Sequence, residues 1–597
     1  MKGFLLITGI LSKGCRCSFW AVALWLLCFH AGAQHPTVKH SAAIATSHPL
    51  ATQAGAAILR AGGSAVDAAI AAQMVLTLVE PQSSGIGGGA LALHHDGHRL
   101  QAYDGRETAP ADATERLFIK ASGEVMSFAQ AVHGGLAVGT PGVVRMLGLM
   151  HERHGRLPWK ALFKDAIDLA SKGFPVSERL HAYLKEYGVL QQDPSARALY
   201  LDAQGHPWPV GHMLPNPELK EVLEQLAQRG PQAFYEGEWA QAMVSAVQQH
   251  PMNPGRLKFS DLQTYQALER SPLCVDHRAP TQVVAVCGFP PPSSGGIAIA
   301  QMLGILSHTP YLKLLPHNQL EWIHGYTEAA RLAFADRAVY VADPEFVAAP
   351  AGSWLNLIDT GYLKDRASFI HNQSIRTAPA GTPTGTRVTW GPMPPQPEAG
   401  TSHMSIADGF GASLALTTTI ESIFGARIMV NRGKGLKGGF FLNNQLTDFS
   451  FLPQDAQGRP IANRVEPGKR PRSSMSPTLV LSKPGGEVVM NLGSSGGAHI
   501  IHYTAKTLLG LLHAGIGPQE AVNTPNISTL NGPTLLERGR FDATFREQLQ
   551  KKGAEVVELE LKSGTQALVR KVDGNWSGGA DLRREGSVEV LIEVPPR

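Results

Sequence analysis

Cysteine is nearly absent. There are five in 597 residues; Cys15, Cys17 and Cys28 crowd the N-terminus, and only Cys274 and Cys287 lie beyond it. Neither these nor the histidines recur at metal-ligand spacing, so no metal site is expected. An excess of charge of one sign is missing too: the formal net charge is +4, with 17% charged residues. No basic block or aromatic-interleaved basic stripe occurs, which argues against a nucleic-acid partner. Membrane-length apolar runs are also lacking. Ser18–Cys28 is too short to span a bilayer comfortably. A basic region ending at Arg16 precedes it and Ala31-Gly32-Ala33 follows, so residues 1–33 read as a secretory signal peptide cleaved before Gln34. The alternative is an uncleaved N-terminal anchor. A lipoprotein is disfavoured because Leu27 stands where a small residue is needed before Cys28. Export to a periplasm or the cell exterior follows.

Glycine and proline are plentiful, at 63 and 41, and imply many tight turns. A chain this long has room for several domains or one large interdigitated fold. His48–Arg60 and Ala65–Leu78 predict helices; the second is apolar nearly all round, capped by Ser64, and therefore buried. The glycines of Glu80–Gly89 suggest a phosphate loop. Without a Lys-Ser/Thr or a preceding strand, they read better as a tight turn or close backbone packing. Alternation in Ala90–His94 and Arg99–Tyr103 predicts a hairpin that delivers Arg106 to a strand end. A solvated ion pair and a carboxylate clamp both fit an arginine there. Asn318–Val341 reads as a long helix whose His324, Arg331 and Asp336 make surface ion pairs. A further hairpin, Pro272–Asp276 with Gln282–Cys287, sets Cys274 near Cys287; a disulfide and two buried thiols are equally compatible.

Residues 373–400 are rich in proline and read as a flexible linker. They run straight into Thr401-Ser402-His403-Met404-Ser405 and a period-2 apolar pattern that continues through Ala412–Thr419. A flexible stretch abutting a central strand suits a chain break whose new end becomes ordered. Cleavage of Gly400–Thr401 would give Thr401 a hydroxyl and a free α-amine, a nucleophile and a base in one residue. Further on, Gly493–Gly497 separate a strand from a helix, where the backbone N–H groups of Gly496 and Gly497 can meet an anion. Taken alone, that is only a turn.

Eight segments then occur in one order: Ala65–Ala69, Glu80–Gly89, Asp104–Glu107, Pro291–Gly296, Thr401–Ser405, Asn443–Asp448, Pro471–Pro477 and Gly496-Gly497. In these the chain resembles a bacterial γ-glutamyltranspeptidase, a member of the N-terminal-nucleophile hydrolases. The resemblance implies an α+β fold, a four-layer αββα sandwich. It also implies self-cleavage into a large subunit, 34–400, and a small one, 401–597, that remain together as a heterodimer. Thr401 would carry the acyl group, the hydroxyl of Thr419 would orient it, and Gly496 and Gly497 would stabilise the oxyanion. Arg106, Ser473 and Ser474 would take the α-carboxylate of a γ-glutamyl donor such as glutathione. Glu421, Asp448 and Gln445 would take its α-ammonium. Acceptors would be water, amino acids or dipeptides, with no metal or organic cofactor. Some relatives have Asn in place of Glu421, and many carry a lid tyrosine where the loop Phe451–Arg470 has Phe451 as its only aromatic. His403 and Ser405 match positions near the scissile bond, where support of the chemistry and strand packing fit equally well.

Two rivals remain. A cephalosporin or glutaryl-amide acylase would use the same threonine, but its substrate has no α-ammonium to meet Glu421 and Asp448. An exported γ-glutamyl-peptide-binding pseudoenzyme would keep the pocket and never cleave itself.

Overall fold

The computed structural model describes residues 41–591 apart from Pro316; the signal peptide falls outside the described residues. Two antiparallel sheets form the centre. The first runs, in spatial order, Ser587–Leu591, Ala42–Thr46, Gly400–Ala407, Ser413–Glu421, Gly89–His95, Leu100–Gly105 and Leu268–Arg270. The second runs Trp576–Ala580, Gln566–Arg570, Val488–Gly493, Thr478–Ser482, Val283–Gly288 and Leu273–Arg278.

Strand alternation decides the layers, because successive side chains face opposite sides of a sheet. Ala43, Ala45, Leu91, Leu93, Ala407 and Ala415 meet Leu479, Val488 and Leu568 in a dry layer between the sheets. Their neighbours Ile44, Ala90, Ala92, Met404, Ile406, Leu414 and Leu416 face the other way, onto the helices Pro49–Arg60 and Ala65–Val79. On the second sheet Val284, Val286, Val480 and Leu492 pack against Gly295–Ser307, Gln319–Tyr340 and Ile500–Leu509. The outcome is the expected helix–sheet–sheet–helix sandwich. Every residue of Ala65–Val79 is buried, and Ser64 and Asp67 close its N-terminus as a reciprocal capping box. The glycine-rich turn is a place of close backbone approach: a Cβ on Gly87 would lie 2.1 Å from Phe441 O, and one on Gly88 2.0 Å from Thr419 O. Cys274 and Cys287 stand opposite one another in their hairpin and are joined as a disulfide.

The long helix Gln319–Tyr340 differs from expectation. His324, Arg331 and Asp336 are not on its surface; each is at most 1% exposed. The sequence shows charge on this helix but not the loops that satisfy it. Arg331 pairs with Glu328 at 2.5 Å and donates to Arg376 O, Gly532 O and Thr534 Oγ1. Asp336 pairs with Arg366 and accepts from Gln301, Tyr362 and Gly381 N. His324 is bonded through Nε2 to His371 O. Residues 373–399 form no helix or strand. They are tied to the body where Ala378 N donates to Asn531 Oδ1, Gly381 N to Asp336 Oδ1 and Met393 N to Ala338 O.

Glu328 holds Arg331, Ser374 Oγ and Ile375 N together. Glu328→Ala strands a buried guanidinium and is expected to cost about 3–5 kcal/mol in denaturant unfolding. A loss under about 1 kcal/mol would show that water reaches Arg331.

Candidate active site

The strands Gly400–Ala407 and Ser413–Glu421 run in regular register from Ser413↔Ala407 to Thr418↔Ser402, then slip, so that Glu421 rather than residue 420 faces Gly400. Glu421 takes the irregularity at φ 76°. An extra residue at such a bulge re-aims the side chains beside it. Here it turns the Thr419 hydroxyl onto Gly400 O at 2.5 Å, and the Thr401 hydroxyl donates to the same oxygen at 2.5 Å. Glu421 N donates to Thr419 Oγ1 at 2.8 Å, which leaves the threonine proton for Gly400. The geometry thus separates three consecutive threonines that spacing alone does not. Thr417 bonds His403 Nδ1 at 2.8 Å, Thr418 donates to Gly89 O at 3.3 Å, and Thr419 alone reaches the Gly400 carbonyl.

His403 lies between Thr417 and Ser405, and burial pushes its imidazole down to about 3, so it is neutral. Neither the His403 ring nor the Ser405 hydroxyl is bonded to Gly400 or Thr401. The Ser402 hydroxyl bonds Ser84 and Glu80, and Thr401 O accepts from Arg584 at 3.0 Å. The strand is therefore fixed on both sides of the Thr401 hydroxyl.

Around this carbonyl is a tight cleft with a free volume of only about 20 Å³. It brings together Arg106, Gly400, Thr401, Thr419, Glu421, Gln445, Asp448, Ser473, Ser474 and Gly497. Of the predicted site residues, only Gly496 does not line it. Gly496 and Gly497 take φ 129° and 60°. A Cβ on Gly497 would lie 2.0 Å from Glu398 O, because the 398–400 backbone crosses directly over it.

Arg106 and Asp448, expected at opposite ends of a substrate, are bonded to one another here. Arg106 pairs with Asp448 and donates to Pro471 O and Arg472 O. Gln445 Nε2 also donates to Asp448 Oδ2, at 2.7 Å. Glu421 Oε2 is held by Ser422 and Asn444. Ser473 Oγ accepts from Met475 N, and Ser474 Oγ accepts from Arg337 Nη2 at 2.7 Å. What remains is a set of buried acceptors without partners: Glu421 Oε1, Gln445 Oε1 and Asp448 Oδ1. Burial raises the Asp448 carboxyl to about 6 against the pull of Arg106. Burial, and then the nearby Asp448, hold Glu421 well above the usual carboxylate range. Both shifts describe a dry site short of positive charge.

Four polar residues at or beside the cleft escape sequence reasoning. Arg337, which follows Asp336 on the long helix, donates to Ser294 Oγ, Ser474 Oγ and Glu398 Oε1. Arg472 lies alongside, its guanidinium pulled down to about 9 by burial and by Arg337. Glu107, 3.9 Å from Arg106, is pushed up to about 8 by burial. Glu398 stands in the cleft wall itself. Glu107 and Arg472 stand within recognised segments but were given no role, and Arg337 and Glu398 had no sequence signal beyond their charge. Phe451, the loop's only aromatic, stacks on Phe118 at 4.3 Å between ring centroids. Among the described residues no group of His, Cys, Asp or Glu could hold a metal.

A sequence model of the Gamma-glutamyltranspeptidase family matches residues 51–591. The chain belongs to this family of enzymes. It is 35% identical to a glutathione hydrolase proenzyme of Bacillus subtilis (strain 168) over 524 residues, covering 84% of each chain. It is 33% identical to the glutathione hydrolase proenzyme of Escherichia coli (strain K12), with 92% of this chain and 91% of that one covered. Among solved structures, a cephalosporin acylase from Bacillus halodurans superposes with a TM-score of 0.78 over 92% of this chain and 96% of that one. Its identity is 24%, so the likeness is one of fold.

In a parent chain carrying Thr401→Ala, so that the 398–400 backbone stays joined and seated on Gly497, Gly497→Ala should displace that segment while leaving the sandwich folded. Limited proteolysis is expected to cut near residues 394–400 at least tenfold faster than in the parent chain, a factor of ten being worth about 1.4 kcal/mol of segment docking. Unchanged protection would mean the segment is held without regard to Gly497.

Proposed function

We propose that the chain is a γ-glutamyltransferase and glutathione hydrolase that makes its own nucleophile by cutting Gly400–Thr401. One observation carries the reading: the Gly400 carbonyl oxygen accepts from both Thr401 and Thr419. The Thr401 oxygen attacks the Gly400 carbonyl carbon and the carbon–nitrogen bond breaks. The hydroxyl proton passes to the departing nitrogen, which becomes the α-amine. Water then opens the ester, giving its hydroxyl to Gly400 and a proton back to the Thr401 oxygen. Thr419 stabilises the negative charge that develops on the carbonyl oxygen. The products are a large subunit, 34–400, and a small one, 401–597, held together as a heterodimer, with export directed by residues 1–33.

In turnover, the Thr401 hydroxyl attacks the γ-carbonyl of a γ-glutamyl amide. Its own α-amine, with a reference pKa of about 7.7–8.0, serves as base. Backbone N–H groups of Gly496 and Gly497 meet the oxyanion once the 398–400 segment has left. The γ-glutamyl ester passes to water or to the amine of an amino acid or dipeptide. The three unpaired oxygens of Glu421, Gln445 and Asp448 match the three N–H groups of an α-ammonium. Arg106, Ser473 and Ser474 are assigned the α-carboxylate, with Arg106 turning from Asp448 as the ammonium arrives to neutralise that acid.

The acylase reading has support from the shared fold, but a glutaryl donor brings no cation, and leaving those buried acceptors unpaired is costly. A γ-glutamyl anilide is therefore expected to be hydrolysed at least tenfold faster than the glutaryl anilide, and the reverse order would overturn the substrate assignment. A denaturing gel is expected to show two fragments, the smaller beginning Thr-Ser-His by N-terminal sequencing. Thr401→Ala should run as one band without turnover; an unbroken wild-type chain that turns substrate over would refute the mechanism.

A further inference from the structure

Self-cleavage requires Gly400 to be held against two hydroxyls, yet the segment before it is poorly equipped to hold itself. Pro394, Pro395 and Pro397 have no N–H to donate. Met393 N is bonded to Ala338 O, and the next backbone anchorage is the strand that begins at Gly400. Across residues 394–399, the one hydrogen bond or ion pair among the described residues is that of the Glu398 carboxylate to Arg337 Nη2, at 3.2 Å.

Arg337 is a rigid post. It stands near the end of the buried helix Gln319–Tyr340, its Nε donates to Ser294 Oγ at 2.8 Å, and its Nη2 donates to Ser474 Oγ at 2.7 Å. Its carbonyl accepts from Arg472 Nη1 at 3.1 Å. Glu398 also lies near the other acids of the cleft and adds to the forces raising the proton affinity of Asp448 and Glu421. The arm is therefore seated close to two carboxyls, with Arg337 bonded to it and Arg472 nearby to oppose their repulsion.

We propose that Glu398 is a positioning residue for self-cleavage: held by Arg337, its carboxylate latches the scissile segment across the cleft, and it departs with that segment once the bond is cut. This rests on the self-cleavage proposed above. The cut removes the covalent tie at Gly400, and the ion pair together with the contacts of Gly400 to Thr419 and Glu421 then holds an arm that the neighbouring acids repel. Departure exposes Gly497 and withdraws one negative charge from the cleft.

The test follows freshly synthesised precursor by the rate at which the fragment beginning at Thr401 appears. A displacement of about 1 Å costs roughly 100-fold in rate, so Glu398→Ala is expected to slow cleavage at least tenfold. Glu398→Gln should do likewise, and Glu398→Asp should recover part of the rate. Arg337→Gln should slow it too, and the double variant should be no slower than Arg337→Gln alone. Once cut, Glu398→Ala enzyme should match the wild type in kcat/KM within twofold, because the segment has left. In a Thr401→Ala background, Glu398→Ala should melt within about 2 °C of the parent, a small fraction of overall stability. A Glu398→Ala chain that cleaves as fast as wild type, independent additive slowing in the double variant, or a processed enzyme with lowered kcat/KM would each overturn the latch. So would slow cleavage explained wholly by an unfolded fraction. A wild type that never yields the Thr401 fragment would instead sink the proposed function itself, which keeps the two failures apart.

Discussion

Two hydroxyls on one carbonyl oxygen are the constraint on which the rest of the site depends. Thr401 supplies one from the residue after Gly400, and Thr419 supplies the other from the neighbouring strand, turned inward by the slip in register at Glu421. Gly88 makes room for that arrangement, since a side chain there would run into Thr419 O. Behind it, the strand is clamped by Ser402 to Glu80 and by Arg584 to Thr401 O. The glycine turn, the bulge and the central strand are thus parts of one device for presenting a single peptide group.

Electrostatics pull the other way. Around the cleft the acids Glu421, Asp448, Glu107 and Glu398 outnumber the guanidiniums of Arg106, Arg337 and Arg472, and in a dry site that imbalance is costly. The protein answers by raising proton affinities and by turning Arg106 onto Asp448. A ligand carrying its own cation relieves the imbalance, and this distinguishes a γ-glutamyl group from a glutaryl one more sharply than shape does.

Much of this was legible in the sequence because it is local. The helix cap at Ser64, the two hairpins and the period-2 patterns around Thr401 and Thr419 each need only a few neighbouring residues. The proposed site residues come from motif resemblance, and the structure gathers them, Gly496 excepted, around one cleft. What was hidden is long-range pairing. Arg331 and Asp336 look like surface charges until residues 372–381 and 531–534 fold over them. Arg337 and Glu398 lie 61 residues apart and carry no pattern that would link them. That Arg106 faces Asp448, 342 residues away, likewise has no local signature.

The first sheet interleaves strands from both sides of Gly400: Ala42–Thr46 lies between Ser587–Leu591 and Gly400–Ala407, and Gly89–His95 lies between Ser413–Glu421 and Leu100–Gly105. A cut at Gly400 leaves that weave intact, with neither piece owning a complete core. Folding would then be a one-time event for the tethered chain. After heat or denaturant scatters the nicked halves, reassembly becomes a bimolecular search between two core-deficient chains in competition with aggregation. Endurance of the processed protein would be governed by how slowly it comes apart, because coming apart is hard to undo.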